Sequence, residues 1–569
     1  MDFLITGYNR DIAIKGYTKV KRNIMYHVTR GLLYLLSLVN LLFSRMYCIY
    51  DWEWIICLIL FTVIPLILIP IIRYRCFHEI YEDTSPVNIR ISTILLGISF
   101  LLFLFLLYAQ KMYGNIPFGQ LLYHLNASTE GTNWSQFKEV FILLGIGIAI
   151  TLVLLFITGH VLRNWWRPAV HNIYIMLAPV FLVIVLYCFY IDYGVDEYIS
   201  YAFTTTTLYD DYYVDPASTV ITFPHKKRNL VYIYMESMES SYADSSVGGG
   251  QKVNVIPELT DLAFESENFS DQNSLNGALT VVGTTYTMGG LVAQTTGLPI
   301  NSNYITNEMV NDNSTVDYFT GVTNLGDILA EQGYNQEFLL GSDSTFAGRK
   351  SFFEQHGNYD VKDYYSAIDH GWIDEDYLAW WGYEDEKLYA FARSEMKRLA
   401  RKGEPFNLTL LTADTHFTDG YACELCPDTY RTQYANVLSC ASTQVADFIS
   451  WIQTQDFYDN TTIIISGDHL TMDANYTDRF IDPDYTRKTY VTVINPAVSS
   501  QLHTKRDYTT MDLFPTTLAA LGAHIPGDRL ALGTNLFSST PTLTEELGFD
   551  YLNEEVQKQS KTYKHILLR

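Results

Sequence analysis

Long apolar runs are absent from residues 192–569 of this chain, although hydrophobic residues make up 48% of all 569. The runs that approach the ~20 residues needed to cross a bilayer as a helix all come earlier. They span residues 24–43, 54–72, 91–108, 140–161 and 173–191. A cleaved signal peptide is excluded as the explanation, because further runs follow the first. The sequence therefore predicts a membrane domain of five transmembrane helices over residues 1–191, followed by a soluble part.

Basic residues are also scarce, and the shortage falls on the soluble part. The chain has 38 Lys and Arg against 62 Asp and Glu, and residues 192–569 hold 53 of the acidic residues but only 24 of the basic ones. So acidic a domain is not expected to bind nucleic acid, whose affinity depends on neutralising phosphates. In the membrane part, basic residues gather before residue 24 and in the second and fourth loops. The positive-inside rule then predicts a multi-pass plasma-membrane protein with a cytoplasmic N-terminus and an extracytoplasmic soluble domain.

Cysteine is another residue in short supply, with seven in the chain. Only Cys423, Cys426 and Cys440 lie in the soluble part. Three cysteines allow one disulfide and leave one thiol over, and the sequence alone does not choose the pair. The Cys-x-x-Cys spacing of Cys423 and Cys426 lacks the second ligand pair of a zinc site, so a structural disulfide is the expected arrangement.

Apolar runs rich in β-branched and aromatic residues alternate with amphipathic stretches in the soluble part. The runs cover residues 229–235, 335–340, 406–412, 461–466 and 489–494, and the stretches between them include 386–403 and 442–455. This alternation predicts an α/β domain with a mainly parallel central sheet over residues 228–569. Near-continuous apolar runs are typical of strands buried on both faces. Residues 192–227 are expected to be a linker between this domain and the membrane part.

Charged and imidazole side chains follow four of these predicted strands. In strand order they are Glu236, then Asp343 and Arg349, then Asp414 and His416, then Asp468 and His469. Ligands bind at the carboxyl ends of strands in open parallel sheets, so these side chains are expected at one edge of the sheet. A single charged residue after a strand is more often a helix cap or a turn residue. Such residues after four strands together favour a functional site. Glu236, Asp468 and His469 make a mixed oxygen and nitrogen set suited to Mn²⁺, Zn²⁺ or Mg²⁺.

The stretch GTTYTMGGLVAQTTGLP, residues 283–299, combines hydroxyl residues and glycines with the start of a helix. One interpretation is a threonine that caps the helix N-terminus. The other is a threonine nucleophile beside a metal ion that makes its hydroxyl acidic. The stretch alone does not decide between them.

Five motifs occur in the order and context of a known family. They are NLVYIYMESMES, TMGGLVAQTTGLP, GSDSTFAGRKSFFEQHG, TADTHFTDGY and SGDHLTM. Together they resemble the alkaline-phosphatase-like membrane transferases, and most of all the phosphoglycerol transferases of the osmoregulated-glucan type, relatives of lipoteichoic acid synthase. The resemblance covers roughly residues 228–537. It implies a catalytic domain of alkaline-phosphatase-like fold outside the membrane, and the five membrane runs match the synthase architecture.

The resemblance also implies a nucleophile. In the related sulfatases a glycine follows the nucleophile by ten positions, and here Gly297 lies ten positions after Thr287. Thr287 is therefore the implied nucleophile. Thr284 and Thr285 are its competitors, and the spacing in lipoteichoic acid synthase favours Thr284.

The implied reaction is a two-step displacement that depends on one divalent metal, with Mn²⁺ expected first and Mg²⁺ or Zn²⁺ as alternatives. Phosphatidylglycerol is the implied donor, Thr287 carries the glycerophosphate group as an intermediate, and a cell-surface or periplasmic glycan accepts it. The metal ligands implied by resemblance are Glu236, Asp468 and His469 together with Thr287. Glu239 is a weaker metal candidate than Glu236.

The resemblance assigns roles to the remaining residues at the strand ends. His416 is implied to be the general acid/base or a phosphate ligand. Arg349 is implied to face the phosphate, where the family often has lysine, and Asp343 and Asp414 to orient the substrate or support the site. Cys426 and Cys440 are the disulfide pair that the resemblance favours.

Three alternatives stay open. A sulfatase shares the fold, but the chain lacks a Cys or Ser followed by Pro-x-Arg. A phosphoethanolamine transferase would perform the same chemistry with a different donor head group. A catalytically inactive ectodomain would only bind glycan or partners, and the presence of Glu236, Thr287, Asp468 and His469 argues against it.

Overall fold

The computed structural model describes residues 86–114, 116–126, 138–156, 168–271, 274–304 and 318–567. The chain divides into two compact units, of which the first comprises residues up to 111 and 134–192 and the second residues 112–133 and 193–569. The predicted membrane helices at 24–43 and 54–72 lie outside the described residues.

The described part of the first unit is helical. Its helices are α1 (Pro86–Tyr113), α3 (Lys138–Phe156) and α4 (Pro168–Asp192), and the predicted runs 91–108, 140–161 and 173–191 fall on them. Within the described residues, the stretch Arg90–Gln110 is long and apolar enough to cross a membrane. Val140–Val153 is shorter, and Ala178–Asp192 reaches the same length only together with Val195–Phe203 across a bend. The described residues therefore contain one candidate span, or two if the bent pair crosses as one, and the five-helix bundle stays a prediction.

A seven-stranded sheet forms the centre of the second unit, in the order β2-β7-β6-β1-β5-β3-β4. The strands are β1 (Asn229–Met235), β2 (Gly277–Ala278), β3 (Asn335–Leu340), β4 (Asp360–Lys362), β5 (Phe406–Leu411), β6 (Thr461–Gly467) and β7 (Thr489–Ile494). β1 pairs in parallel with both β5 and β6. A small hairpin, β8 (Arg529–Leu530) with β9 (Gly533–Thr534), stands apart from the sheet. The predicted α/β domain with a mainly parallel sheet is confirmed.

Burial on both faces explains why the strands are so apolar. All seven residues of β1 are buried. Leu230, Tyr232 and Tyr234 pack into the hydrophobic cluster on one face, and the alternate residues Val231 and Ile233 pack into the cluster on the other. The sheet is thus covered on both sides by hydrophobic clusters.

Helices and short 3₁₀ turns connect and cover the strands. The α-helices are α2 (Phe118–Asn126), α5 (Val195–Phe203), α6 (Leu208–Tyr212), α7 (Pro257–Phe264), α8 (Thr287–Thr296), α9 (Leu325–Glu331), α10 (Arg349–Gln355), α11 (Tyr364–Asp369), α12 (Asp385–Ala400), α13 (Gln433–Gln453), α14 (Ala474–Phe480), α15 (Leu513–Ala520), α16 (Leu543–Leu547), α17 (Phe549–Glu555) and α18 (Lys561–Leu567). The bounds of the amphipathic stretch predicted at 442–455 need correction. The helix there, α13, already begins at Gln433 and ends at Gln453. The Thr432 hydroxyl caps this earlier start by accepting from the amide of Ala435, which is the preferred side-chain arrangement at a helix N-terminus.

Residues 193–227 of the stretch 192–227, which is expected to be a linker, group with the second unit. The stretch contains α5 and α6, and Leu208 and Tyr209 are buried. Isolated β-bridges join Thr205 to Gln559 and Val214 to Ala531. The stretch has enough apolar side chains to bury, so it folds onto the domain that follows.

Candidate active site

The ends of β1 and β6 bring the first acidic residues together. The two strands are neighbours in parallel register, with Met235 opposite Gly467. The next residues along the chain, Glu236 and Asp468, therefore leave the sheet side by side. Both are buried, as is His469.

The helix α8, which begins at Thr287, approaches the same strand ends very closely. A Cβ atom placed on Gly290 would lie 2.1 Å from the carbonyl oxygen of Asp468. Any side chain at position 290 would push the helix away from β6. The glycine therefore sets the distance between the helix start, at Thr287, and the acidic residues.

Four side chains converge at this point. The Thr287 hydroxyl donates to Glu236 Oε2 at 3.2 Å and lies 3.4 Å from His469 Nε2. His469 Nε2 is in turn 3.2 Å from Glu236 Oε1 and 3.5 Å from Asp468 Oδ2. The residues that the sequence predicted as metal ligands thus lie around one small volume.

Hydrogen bonds to the backbone orient two of these groups. The carbonyl oxygen of Leu470 accepts a hydrogen bond from His469 Nδ1 at 2.8 Å, so Nε2 is the nitrogen that faces Glu236, Asp468 and Thr287. Asp468 Oδ1 accepts from the amides of Ser237 and His469, both at 2.8 Å, whereas its Oδ2 is buried without a hydrogen-bond partner among the described residues. An imidazole fixed through its other nitrogen is the usual arrangement of a metal-ligating histidine.

The donor set fits a divalent cation. The ligand atoms of Glu236, Asp468 and His469 all lie within 4.8 Å of one another. A mixed set of carboxylate oxygens and imidazole nitrogen binds Mn²⁺, Mg²⁺ or Zn²⁺. A cation there would also give the buried Oδ2 of Asp468 the partner that it lacks.

The charges of the cluster are strongly coupled. Burial raises the pKa of Asp468 to about 8, and the charge of Glu236 acts in the same direction. Burial lowers the pKa of His469, but Asp468 and Glu236 outweigh it and raise that pKa to about 10. Burial also opposes ionisation of Glu236, yet the neighbouring His469 holds its pKa well below the usual range. The ionised form of Glu236 is therefore stabilised by positive charge beside it.

The three threonines of the turn have different surroundings. Thr284 is fully buried, and its hydroxyl donates to the carbonyl of Val281 at 2.8 Å. The Thr285 hydroxyl donates to Gln120 Oε1 at 2.8 Å. Thr287 is the one whose hydroxyl contacts Glu236. Tyr286 occupies the N-cap position of α8, so the helix cap is not supplied by Thr287.

His416, from the loop after β5, is neutral in its resting form. Burial lowers its pKa, more strongly than the charge of Glu236 raises it. Its Nδ1 donates to the carbonyl of Phe417 at 2.6 Å, since a carbonyl can only accept. Its Nε2 is then the acceptor nitrogen. The indole of Trp381 lies edge-on to the ring, with 5.0 Å between the centroids.

Arg349 begins helix α10 and is buried with its charge intact. Burial lowers its pKa to about 10, whereas Asp343 and Glu236 act to raise it. Its Nη2 donates to the carbonyl of Asp343 at 2.6 Å and its Nε to that of Phe346 at 3.1 Å. Backbone carbonyls thus hold the guanidinium through Nη2 and Nε, and Nη1 has no hydrogen-bond partner among the described residues.

The other two residues predicted to contact substrate, Asp343 and Asp414, lie among groups of the protein itself. Asp343 Oδ1 accepts from the amide and the hydroxyl of Thr345, at 2.9 and 2.7 Å, and so fixes the turn before Arg349. Asp414 is buried, and neither of its oxygens has a hydrogen-bond partner among the described residues. Burial and the adjacent Asp385 raise the pKa of Asp414 to about 10. Substrate contact by either residue stays a prediction.

Several supporting residues were not identified from the sequence. The Ser237 hydroxyl donates to Glu236 Oε1 at 2.8 Å. Asp385 accepts from the amides of Ala413 and Asp414 at 2.8 and 3.1 Å, which positions the loop that carries His416. Glu239, the weaker metal candidate, is instead engaged by the guanidinium of Arg487.

The three cysteines of the second unit, Cys423, Cys426 and Cys440, lie close together. Cys423 Sγ is 3.7 Å from both Cys426 Sγ and Cys440 Sγ, and all three sulfurs lie within 4.8 Å of one another. Cys440 lies within α13. The arrangement brings the predicted pair Cys426 and Cys440 within reach, and it makes Cys423 an equal competitor for either.

We expect a disulfide between Cys426 and Cys440, worth about 3 kcal/mol for a loop of roughly 15 residues. Cleavage after Glu424 and Arg431 under non-reducing conditions separates Cys423 from Cys426. Mass spectrometry should then find the fragment 425–431 linked to the fragment that contains Cys440. A Cys423 fragment in that linkage would refute the pairing, and three alkylated thiols with bound zinc would refute the disulfide.

Comparison with known proteins agrees with the motifs. The sequence model of the sulfatase family matches residues 228–523. Phosphoglycerol transferase I of Salmonella typhi is 31% identical over 422 residues, which cover 71% of this chain and 51% of that protein. The enzyme of the same name from Escherichia fergusonii is 30% identical over 439 residues, covering 74% of this chain and 52% of that protein. The chain thus spans about half the length of these curated relatives.

Solved structures with a related arrangement have lower identity. A protein of the alkaline phosphatase superfamily from Vibrio parahaemolyticus has a TM-score of 0.43 and 20% identity, covering 58% of this chain and 76% of that one. A lipoteichoic acid synthase from Listeria monocytogenes has a TM-score of 0.42 and 17% identity, covering 56% and 79%. The resemblance stated from the motifs is confirmed by the sequence relatives, and the matched family model covers more than half of the chain. The chain belongs to the sulfatase family.

Proposed function

We propose that this chain transfers a glycerophosphate group from phosphatidylglycerol to a cell-surface glycan through a phospho-threonine intermediate on Thr287. The observation that carries the proposal is the contact of the Thr287 hydroxyl with Glu236 and His469, at 3.2 and 3.4 Å. The names of the relatives at about 30% identity support the donor chemistry. The proposal further places the protein in the plasma membrane with its catalytic domain outside, and the apolar helix Arg90–Gln110 supports that location.

Glu236, Asp468 and His469 would hold one divalent metal ion, with Thr287 beside it. Mn²⁺ is the first expectation, followed by Mg²⁺ and Zn²⁺. When bound, such an ion lowers the pKa of an adjacent hydroxyl and offsets the charge on the phosphate.

In the first displacement the Thr287 oxygen forms a bond to phosphorus and the bond to the diacylglycerol oxygen breaks. Glu236 Oε2, which accepts the hydrogen bond of the Thr287 hydroxyl, takes up its proton as the bond to phosphorus forms. Arg349 offers its Nη1 to the phosphate oxygens, and a guanidinium held by carbonyls is already oriented for them. The diacylglycerol oxygen leaves with a proton, which comes from solvent in the first cycle and from His416 in later cycles.

In the second displacement a glycan hydroxyl replaces the Thr287 oxygen at phosphorus, and Glu236 returns the proton to that oxygen. Neutral His416 is suited to accept the proton of that hydroxyl, because its Nδ1 is fixed on the Phe417 carbonyl and its Nε2 is free to accept. The imidazolium that results can return the proton to the departing diacylglycerol oxygen in the next cycle. General acid–base assistance of this kind contributes about 10²–10⁴-fold to the rate.

The full-length protein incubated with phosphatidylglycerol vesicles and no acceptor tests the proposal. Peptide mass spectrometry should find a glycerophosphate group on the peptide that contains Thr287. Phosphatidylethanolamine vesicles serve as the matched control and should leave the peptide unmodified. An ethanolamine phosphate adduct would instead assign the other donor. An unmodified Thr287 peptide, together with transfer once a glycan acceptor is added, would refute the intermediate.

A further inference from the structure

The short helix α2 belongs to the catalytic unit although it lies between two apolar helices in the sequence. Residues 112–133 group with residues 193–569. The amide of Phe118 donates to the carbonyl of Tyr193 at 3.0 Å, and the rings of Phe118 and Tyr198 meet edge to face at 5.1 Å. Two of its side chains, Gln120 and Tyr123, are nearly fully buried.

Tyr123 joins the start of the nucleophile helix to the turn that carries Arg349. Its ring lies 4.5 Å, centroid to centroid, from the ring of Tyr286, the residue before Thr287. Its hydroxyl is 3.3 Å from the hydroxyl of Tyr318 and donates to the carbonyl of Ala347 at 3.5 Å. The Tyr318 hydroxyl also reaches that carbonyl, at 3.4 Å. One side chain from α2 therefore contacts both the nucleophile turn and the arginine turn.

Gln120 joins the nucleophile turn to the loop after the metal ligands. Its Oε1 accepts from the Thr285 hydroxyl at 2.8 Å, two residues before Thr287. Its Nε2 donates to the sulfur of Met472 at 3.4 Å, three residues after His469. The amide thus uses its acceptor on one site segment and its donor on another. These two contacts give both polar atoms of the buried amide a hydrogen-bond partner.

We propose that α2 is a positioning element of the active site, in which Gln120 and Tyr123 hold Thr287 and Arg349 in the orientation that faces one phosphate. The inference rests on the proposed phosphotransfer. It follows that the chain leaving the apolar stretch Arg90–Gln110 is required for full activity of the catalytic domain. A reacting group displaced by about 1 Å can lose about 10²-fold in rate, so small losses of orientation are measurable.

The test uses the full-length protein with phosphatidylglycerol vesicles and the variants Tyr123→Ala, Tyr123→Phe and Gln120→Ala. Tyr209→Phe is the matched control, because it removes a buried tyrosine hydroxyl that has no hydrogen-bond partner among the described residues. We expect kcat to fall about 10- to 100-fold in Tyr123→Ala and Gln120→Ala, with KM and bound metal little changed. Tyr123→Phe should recover part of the loss because it keeps the ring contact with Tyr286.

Hydrogen–deuterium exchange provides a readout that does not depend on activity. Tyr123→Ala should speed exchange of the amides at 285–288 and 347–349, while the amides of the central strands and the Tyr209→Phe control stay as in the wild type. Wild-type kcat in Tyr123→Ala and Gln120→Ala would overturn the positioning role. A loss of kcat in these variants that is matched by a loss of thermal stability and of bound metal would also overturn it. An inactive wild type whose exchange still responds at those amides would refute the proposed function and leave the positioning role standing.

Discussion

Thr287→Ala is expected to abolish glycerophosphate transfer while the protein stays folded and retains its metal. Loss of a catalytic nucleophile costs on the order of 10⁴-fold in rate or more. Its hydroxyl contributes little to stability, because it makes long contacts of 3.2 and 3.4 Å in a partly exposed position. Such a hydrogen bond is worth about 1 kcal/mol. Initial transfer rates, thermal unfolding and elemental analysis of the purified full-length variant measure the three quantities.

Two neighbouring variants make this result specific. Thr287→Ser keeps a hydroxyl at the same backbone position and should keep part of the activity. Thr284→Ala removes a hydroxyl that donates to the Val281 carbonyl inside the protein, so it should lower stability slightly and leave transfer intact. Full activity in Thr287→Ala together with loss in Thr284→Ala would move the nucleophile by three residues, as the synthase spacing suggests.

The sheet could be predicted from the sequence because its strands are buried on both faces. The runs 229–235 and 335–340 match β1 and β3 residue for residue. The run 489–494 also matches β7, but β7 is antiparallel to β6. An apolar run does not encode its direction, which depends on how the connecting chain returns. The edge strands Gly277–Ala278 and Asp360–Lys362 were not predicted, because strands of two or three residues carry no periodicity.

Glycine is required at position 467, where two segments of the chain approach closely. Adjacent residues on a strand point to opposite faces, so the sequence alone suggests a flexible turn at Gly467 that lets Asp468 and His469 face one ion. Residue 467 still belongs to β6, and its φ is not in the left-handed region. A Cβ there would lie 1.9 Å from the carbonyl of Met238. The glycine is needed for space between segments, which only the tertiary structure reveals.

Contacts between distant segments account for the rest of what sequence patterns missed. Gln120 and Tyr123 belong to a short segment between apolar runs, and nothing in their spacing indicates an active site. Thr285 lies 165 residues from Gln120 in sequence, yet the two side chains are hydrogen bonded. Motifs locate side chains that share a strand end. They do not locate a helix that packs against the site from elsewhere in the chain.

Glu236→Ala should lose metal and activity together, whereas His416→Ala should lose activity and keep the metal. Glu236 supplies carboxylate oxygens within 4.8 Å of the ligand atoms of Asp468 and His469. Loss of even a supporting residue of a metal site costs about 10–100-fold in metal affinity, so loss of a ligand should cost at least that much. His416 is oriented by the Phe417 carbonyl and not by the metal cluster. Its removal should cost about 10²–10⁴-fold in rate, as expected for a general acid or base.

Elemental analysis after dialysis, combined with the transfer assay on the same samples, separates the two variants. Glu236→Gln adds a variant of nearly equal volume, in which one weak amide ligand replaces the carboxylate, and it should lie between wild type and Glu236→Ala in metal content. Excess Mn²⁺ should restore part of the activity of Glu236→Gln and none of His416→Ala, because the second variant already holds its metal. If Glu236→Ala retains a full equivalent of metal, the ion is bound by other residues, and the contact between Thr287 and Glu236 then has no part in activating the nucleophile.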